Sequence, residues 1–140
     1  MRFVLDNSVT MRWLFGDGSV DDLAYASHVI GLMEAQEAEA VVPSLWRLEV
    51  ANVIVRAEAK GLLTEARSAE FLGVLQDMAI FTDIETAEHA LNDTLQLARR
   101  FNLSSYDASY LELALREGLP MATLDKDLRA AVATTGATLA

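Results

Sequence analysis

Cysteine is absent from this 140-residue chain, which excludes disulfides and any metal site built from thiolates. A metal ion would therefore be held by oxygen or imidazole ligands. A chain without cysteine also suits a reducing compartment, so we expect a cytoplasmic protein.

Proline and long hydrophobic runs are also scarce. The chain has 2 prolines, and no run of glycine, serine or like charge is long enough to form a linker, so we predict one domain over residues 1–140. No apolar run approaches the ~20 residues of a membrane span. The N-terminus meets Asp6 before a signal-peptide core could form. We expect a soluble, unexported protein with no membrane segment.

Basic residues are few, with 11 Lys and Arg against 21 Asp and Glu and a net charge of −10. Phosphates repel acids, so this balance argues against a nucleic-acid partner. The objection weakens if several of the acids bind divalent cations, because bound cations reverse the local charge. The remaining negative charge predicts a basic protein partner.

Short apolar segments alternate with helical patterns along the chain. Strands are predicted at 2–5, 40–42, 80–84 and 121–124, with an additional edge strand at 137–139. Helices are predicted at 22–38, 45–60, 65–78, 86–101, 104–117 and 126–134, with Ser44, Thr64 and Ser104 as N-caps. Strands separated by helices imply right-handed crossovers. We predict a three-layer α/β/α sandwich around a parallel sheet of four to five strands.

Four acids are predicted to lie on one edge of this sheet. Strand ends and the starts of the following helices share that edge in parallel α/β folds. Asp6 ends the first strand, Asp125 follows the fourth, and Asp107 lies in the first turn of a helix. Glu49 lies about 7 Å into its helix at ~1.5 Å per residue. Together these acids predict a site for a hard divalent cation such as magnesium or manganese.

Each acid also has a purely structural interpretation. Asp107 fits a capping box, and Asp125 and Asp127 are each candidates for a helix N-cap. Glu49 lies among apolar neighbours, where an unpaired carboxylate is costly. An ion pair with Arg47 or Arg56 would compensate it as well as a metal ion would.

Four stretches of the sequence, residues 3–9, 43–53, 104–114 and 122–128, resemble in their order and spacing the PIN-domain family, and within it the VapC-type toxins of toxin–antitoxin pairs. The resemblance covers the whole chain. It implies a magnesium- or manganese-dependent endoribonuclease in which Asp6, Glu49, Asp107 and Asp125 bind the metal. A metal-activated water would cut the RNA phosphodiester, with no covalent nucleophile. It also implies a basic antitoxin partner and a homodimer.

Other positions take their interpretation from the same resemblance. Ser8 and Thr123 match small hydroxyl positions near the site, and Asn7 stands where many relatives carry a small apolar residue. Asp127 is either a fifth, outer acid or a cap. We predict contacts with the RNA backbone, or solvated and ion-paired roles, for Arg12, Arg47, Arg56 and Lys126. His28 and His89 are predicted to be ordinary packing or surface residues.

Three alternatives compete with the nuclease. A phosphatase with an aspartyl nucleophile needs a second acid two residues after the first, where this chain has Ser8. A phosphoacceptor receiver domain would use Asp83, but it needs an adjacent acid pair after the first strand. A PIN-like binding module without catalysis would use the same acids to bind a partner.

Overall fold

Four parallel strands form the central sheet of the computed structural model, which describes residues 1–35 and 37–140. The strands are β1 (Arg2–Leu5), β2 (Glu39–Val42), β3 (Ile80–Thr82) and β4 (Met121–Ala122). Their spatial order is β3-β2-β1-β4, with Phe3 beside Ala40 and Val4 beside Met121. The predicted edge strand at 137–139 is reduced to one bridge between Leu139 and Met121.

Helices flank this sheet, which confirms the predicted α/β class. They are α1 (Asn7–Phe15), α2 (Val20–Ala35), α3 (Trp46–Ala59), α4 (Glu65–Gln76), α5 (Thr86–His89), α6 (Leu95–Phe101), α7 (Ser105–Glu117) and α8 (Lys126–Thr135). A π-helical turn, Ala90–Thr94, joins α5 to α6. Within the described ranges, no helix is both long enough and apolar enough to cross a membrane.

Helix α1 is the main element that the sequence did not predict. It begins directly after β1 and ends at Gly16, whose φ of 64° places it in the left-handed region that favours glycine. Its buried side chains are Val9, Thr10, Met11 and Leu14, which is the helical spacing of an inward face. The segment was missed because Asp6 was interpreted as the end of a strand leading into a loop.

Some of the other predicted helix ends and caps differ from those in the structure. The predicted helix 22–38 ends at Ala35 among the described residues; position 36 lies outside them, and Glu37 has a φ of 51°. Ser44 is not the N-cap of α3, because Leu45 occupies that position and makes no side-chain capping bond. The predicted caps Thr64 and Ser104 are confirmed, each accepting a bond from a backbone N–H three residues on.

The core lies on both faces of the sheet. Phe3, Val4 and Leu5 of β1 are fully buried, as parallel strands covered by helices on both sides should be. Helix α7 contributes Tyr110 and Leu111, which are also fully buried. Burial of such side chains stabilises a fold by roughly 1.5–3 kcal/mol each. The strand ends that carry the acids are therefore held by a rigid core.

A cluster of charged residues joins the end of α7 to the segment after β3. The Arg116 guanidinium donates to Asp83 and Glu112 at 2.7 Å each, and both carboxylates are buried. Burial by itself would raise the pKa of Asp83, but hydrogen bonds from Arg116, Thr86 and the backbone hold that pKa below its usual range. The buried acids therefore depend on one cation.

We expect Arg116→Met to lower the free energy of unfolding by about 3 kcal/mol, because it removes the arginine that neutralises two buried carboxylates. Arg2→Met is the matched control, since Arg2 pairs with Glu39 at 3.9 Å on the open surface, and should cost less than about 1 kcal/mol. Urea unfolding at neutral pH measures both. Equal losses in the two variants would show that the Arg116 cluster is not a major source of stability.

Candidate active site

Asp6 lies where β1 ends and α1 begins, and it is 5% exposed. Although it occupies the N-cap position of α1, its side chain makes no capping bond. Its Oδ2 instead accepts hydrogen bonds from the hydroxyls of Ser8 and Thr123. Both hydroxyls also accept a backbone N–H, from Leu124 and Asp125 respectively. This network joins the ends of β1 and β4 at the Asp6 carboxylate.

Asp125 is the N-cap of α8, and its Oδ1 accepts the backbone N–H of Leu128 at 2.9 Å. That bond uses one of its two carboxylate oxygens, so a capping role leaves the other for a ligand. Asp127 lies inside the first turn of α8. The interpretation of Asp127 as the cap is therefore wrong, because Asp125 already occupies that position.

Glu49 lies in the first turn of α3, where it accepts a hydrogen bond from the Tyr110 hydroxyl of α7. The suggested ion pair with Arg47 is not formed, since that guanidinium donates to Thr82. Burial raises the pKa of Glu49, the Tyr110 bond lowers it, and the charges of Asp6 and Asp107 raise it again; the net shift is upward. Tyr110 was not among the residues predicted at the site, although a buried tyrosine generally needs a hydrogen-bond partner.

Asp107 lies in the first turn of α7, where its backbone N–H donates to the capping hydroxyl of Ser104 at 3.0 Å. Its carboxylate is partly exposed. Burial, followed by the charges of Asp6 and Asp125, raises the pKa of Asp107 to about 6. Tertiary structure thus brings its carboxylate under the influence of acids that are distant in sequence.

We call Asp6, Glu49, Asp107 and Asp125 the acid cluster, because their negative charges repel one another and raise the pKa values of several members. The pKa of Asp6 is also raised, mainly by burial and with a further contribution from the charge of Asp125. Across residues 1–35 and 37–140, no Lys, Arg or His side chain lies within 4.0 Å of these four carboxylates. A set of oxygen ligands without a cation suits a hard divalent metal ion.

The acid cluster is more open than a closed metal site. Over the described part of the chain, the trio of acid and histidine side chains whose ligand atoms all lie within 4.8 Å of one another is a different one, Glu85, Glu88 and His89. His89 also lies between Asp93 and Glu112, so its contacts are with acids as well as with packed side chains, beyond the predicted packing or surface role. Because no three carboxylates of the acid cluster come that close within the described ranges, a magnesium or manganese ion would contact one or two of them directly and the others through water.

Two of the basic residues predicted to contact RNA instead interact with other side chains of this protein. Arg12 pairs with Asp17 at 3.2 Å, and Arg47 lies 5.6 Å from the Trp46 ring centre while donating to Thr82. Neither bonds to the acid cluster. Asp83, the acceptor in the receiver alternative, is bound by Arg116.

The fold and the acid cluster define a parallel α/β protein with a carboxylate site at the carboxyl ends of its strands. A sequence model of the PIN domain matches residues 3–133, and the chain belongs to the PIN domain family. It is 28% identical over 117 residues to Ribonuclease VapC3 of Pyrobaculum aerophilum, covering 78% of this chain and 89% of that protein. The crystal structure of PAE2754 from Pyrobaculum aerophilum matches with a TM-score of 0.65 and 25% identity, covering 99% of this chain and 83% of that one.

The repulsion within the acid cluster predicts a pH dependence of stability in EDTA. Asp107 has an ordinary pKa of 3.8 and a folded pKa of about 6. Between these values the unfolded chain releases its proton first, so the free energy of unfolding falls as pH rises and levels off above the folded pKa. Asp107→Asn should remove much of this fall and stabilise the metal-free protein at pH 7 by about 1 kcal/mol, after allowing for solvent screening.

Asp77→Asn is the matched control, because it removes the same charge from an exposed residue, the C-cap of α4. Unfolding curves at pH 4, 6 and 7 measure the effect. We expect the wild type and Asp107→Asn to have the same stability at pH 4 and to diverge above it. If the free energy of unfolding changes with pH in the same way in all three proteins, the neighbouring acids do not destabilise the charged form of Asp107.

Proposed function

We propose that this chain is an endoribonuclease that hydrolyses RNA phosphodiesters at the acid cluster with bound magnesium or manganese, and that it acts as the toxin of a toxin–antitoxin pair. The observation that carries this proposal is the uncompensated negative charge of four carboxylates at one edge of the sheet. Membership of the PIN family and the likeness to a protein named Ribonuclease VapC3 support it. A cytoplasmic location and a homodimer remain predictions.

The residues around the acids orient them. Ser8 and Thr123 fix one oxygen of Asp6, which leaves the other to bind a cation. Tyr110 holds Glu49 in one rotamer, and the cap of α8 holds Asp125. A divalent cation bound by these acids supplies positive charge for the scissile phosphate and makes a nearby water more acidic. The protein itself therefore contributes geometry, with water as the nucleophile.

The charge of the protein makes such a cation necessary for RNA binding. With a net charge of −10 and no basic partner within 4.0 Å of the acid cluster in the described ranges, the site repels phosphate by itself. Cation binding would reverse the local sign. Metal binding and RNA binding should therefore be coupled.

We predict that the protein cuts RNA with magnesium or manganese, leaves a 5′ phosphate, and loses activity in EDTA. Asp6→Asn keeps the shape of the side chain but removes its charge, so cleavage should fall by roughly 100-fold or more. Asp77→Asn should cleave like wild type. Cleavage of labelled RNA followed by gel electrophoresis measures this.

Full activity in EDTA, or in Asp6→Asn, would contradict the mechanism. A protein that binds metal, judged by a metal-dependent rise in the melting midpoint, but cuts no RNA would support the PIN-like binding module instead. The two measurements together separate a failed nuclease from a failed metal site.

We further predict a basic antitoxin whose arginines bind the acid cluster. Bidentate arginine–carboxylate pairs are strong where water is excluded, and these acids have no competing cation among the described residues. A basic protein should co-purify with the natively expressed chain and block cleavage. Asp107→Asn should weaken its binding more than Asp77→Asn does. Equal binding by the two variants would place the contact elsewhere.

A further inference from the structure

Two exposed apolar residues directly precede members of the acid cluster in the chain. Leu48 is 74% exposed and directly precedes Glu49, and Tyr106 is 65% exposed and directly precedes Asp107. Each lies in the first turn of the helix that presents its acid. Single exposed apolar residues are common, but each of these two is the immediate neighbour of an acid of one site.

Hydrogen bonds hold the backbone around Tyr106. The Ser109 hydroxyl donates to the carbonyl of Tyr106, and the Ser104 cap fixes the next residue. The bond between Tyr110 and Glu49 joins α3 to α7, so the two helix starts keep a fixed relation. A ligand that contacts both side chains would therefore cost little backbone ordering.

The charge of the chain favours a contact of this kind. A site of four carboxylates in a chain of net charge −10 attracts phosphates mainly through bound cations, so contacts that do not depend on charge add to RNA binding there. Stacking of a base on an aromatic ring does not depend on the sign of the protein's charge. Each stacked base strengthens binding by roughly 5- to 150-fold.

We propose that Tyr106 stacks on a nucleobase next to the phosphodiester held at the acid cluster, and that Leu48 packs against the same base from α3. This inference rests on the proposed ribonuclease function. It assigns Tyr106 and Leu48 to substrate binding, so their loss affects affinity for RNA and leaves the cleavage step intact. A base that is paired in a duplex cannot enter such a site, so the nucleotide beside the cut must be unpaired.

Steady-state cleavage of a short unpaired RNA of mixed sequence tests the proposal. Tyr106→Ala should raise KM by about 5- to 150-fold with kcat little changed, whereas Tyr106→Phe should keep the wild-type KM because it retains the ring. Phe81→Ala is the matched control, since it removes a half-exposed aromatic ring from β3, two strands away from β1. Leu48→Ala should raise KM by a smaller factor.

A second measurement reports stacking without cleavage. Asp6→Asn, which should still bind RNA weakly, is mixed in magnesium with RNA oligonucleotides that carry 2-aminopurine at successive positions. One position should lose fluorescence on binding, and adding Tyr106→Ala to that variant should abolish the loss. The melting midpoints of Tyr106→Ala and Leu48→Ala should match that of the wild type, because both side chains are exposed.

The outcomes separate this proposal from the function on which it rests. If wild type cuts RNA but Tyr106→Ala cuts it with unchanged KM, the stacking proposal is overturned and the nuclease stands. If wild type cuts no RNA with either metal, both are overturned. If Tyr106→Ala weakens only the basic antitoxin and leaves the KM for RNA unchanged, the ring contacts the protein partner and the stacking proposal is again overturned.

Discussion

The carboxylates of the acid cluster repel one another because no cation lies between them. The surrounding structure has to hold them in place against this repulsion. Asp6 is buried, and its pKa and that of Asp107 are raised by burial and by neighbouring acids. Such an arrangement persists only if covalent connection and packing hold the acids in place more strongly than they repel one another. The fully buried strand β1 and the inner face of α7 supply that packing. Binding of a cation would convert this unfavourable term into a favourable one.

Neutral hydroxyls hold the acid cluster where basic side chains would neutralise it. Ser8 and Thr123 donate to Asp6, and Tyr110 donates to Glu49. A hydroxyl bond orients a carboxylate and leaves its charge available, whereas an arginine would cancel that charge. Arg116, by contrast, neutralises Asp83 and Glu112. The two clusters differ in what their carboxylates contact, hydroxyl and backbone N–H donors in the first and an arginine in the second.

Much of the fold could be predicted from the sequence because local patterns encode it. Apolar runs ending at Asp6 and Asp125 predicted β1 and β4, and Gly118 and the Ser104 cap bounded α7. Helix α1 was not predicted because Asp6 directly follows the apolar run of β1 and was explained as the end of that strand, although it is also the N-cap of the next helix. The π-helical turn Ala90–Thr94 was missed because the apolar spacing over 86–101 fits a regular helix, and nothing in it marks the inserted residue.

The sequence by itself determined which acids belong to one edge of the sheet, because in a parallel α/β chain strand ends and helix starts fall on the same side. Only the tertiary structure decided what each acid contacts. Glu49 was expected to need an arginine or a metal ion, yet its partner is Tyr110, 61 residues away in the chain. Asp125 rather than Asp127 caps α8, because the backbone path after β4 brings its Oδ1 to the N–H of Leu128. Such pairings depend on how helices pack and on distances of a few ångströms, and no spacing along the sequence carries that information.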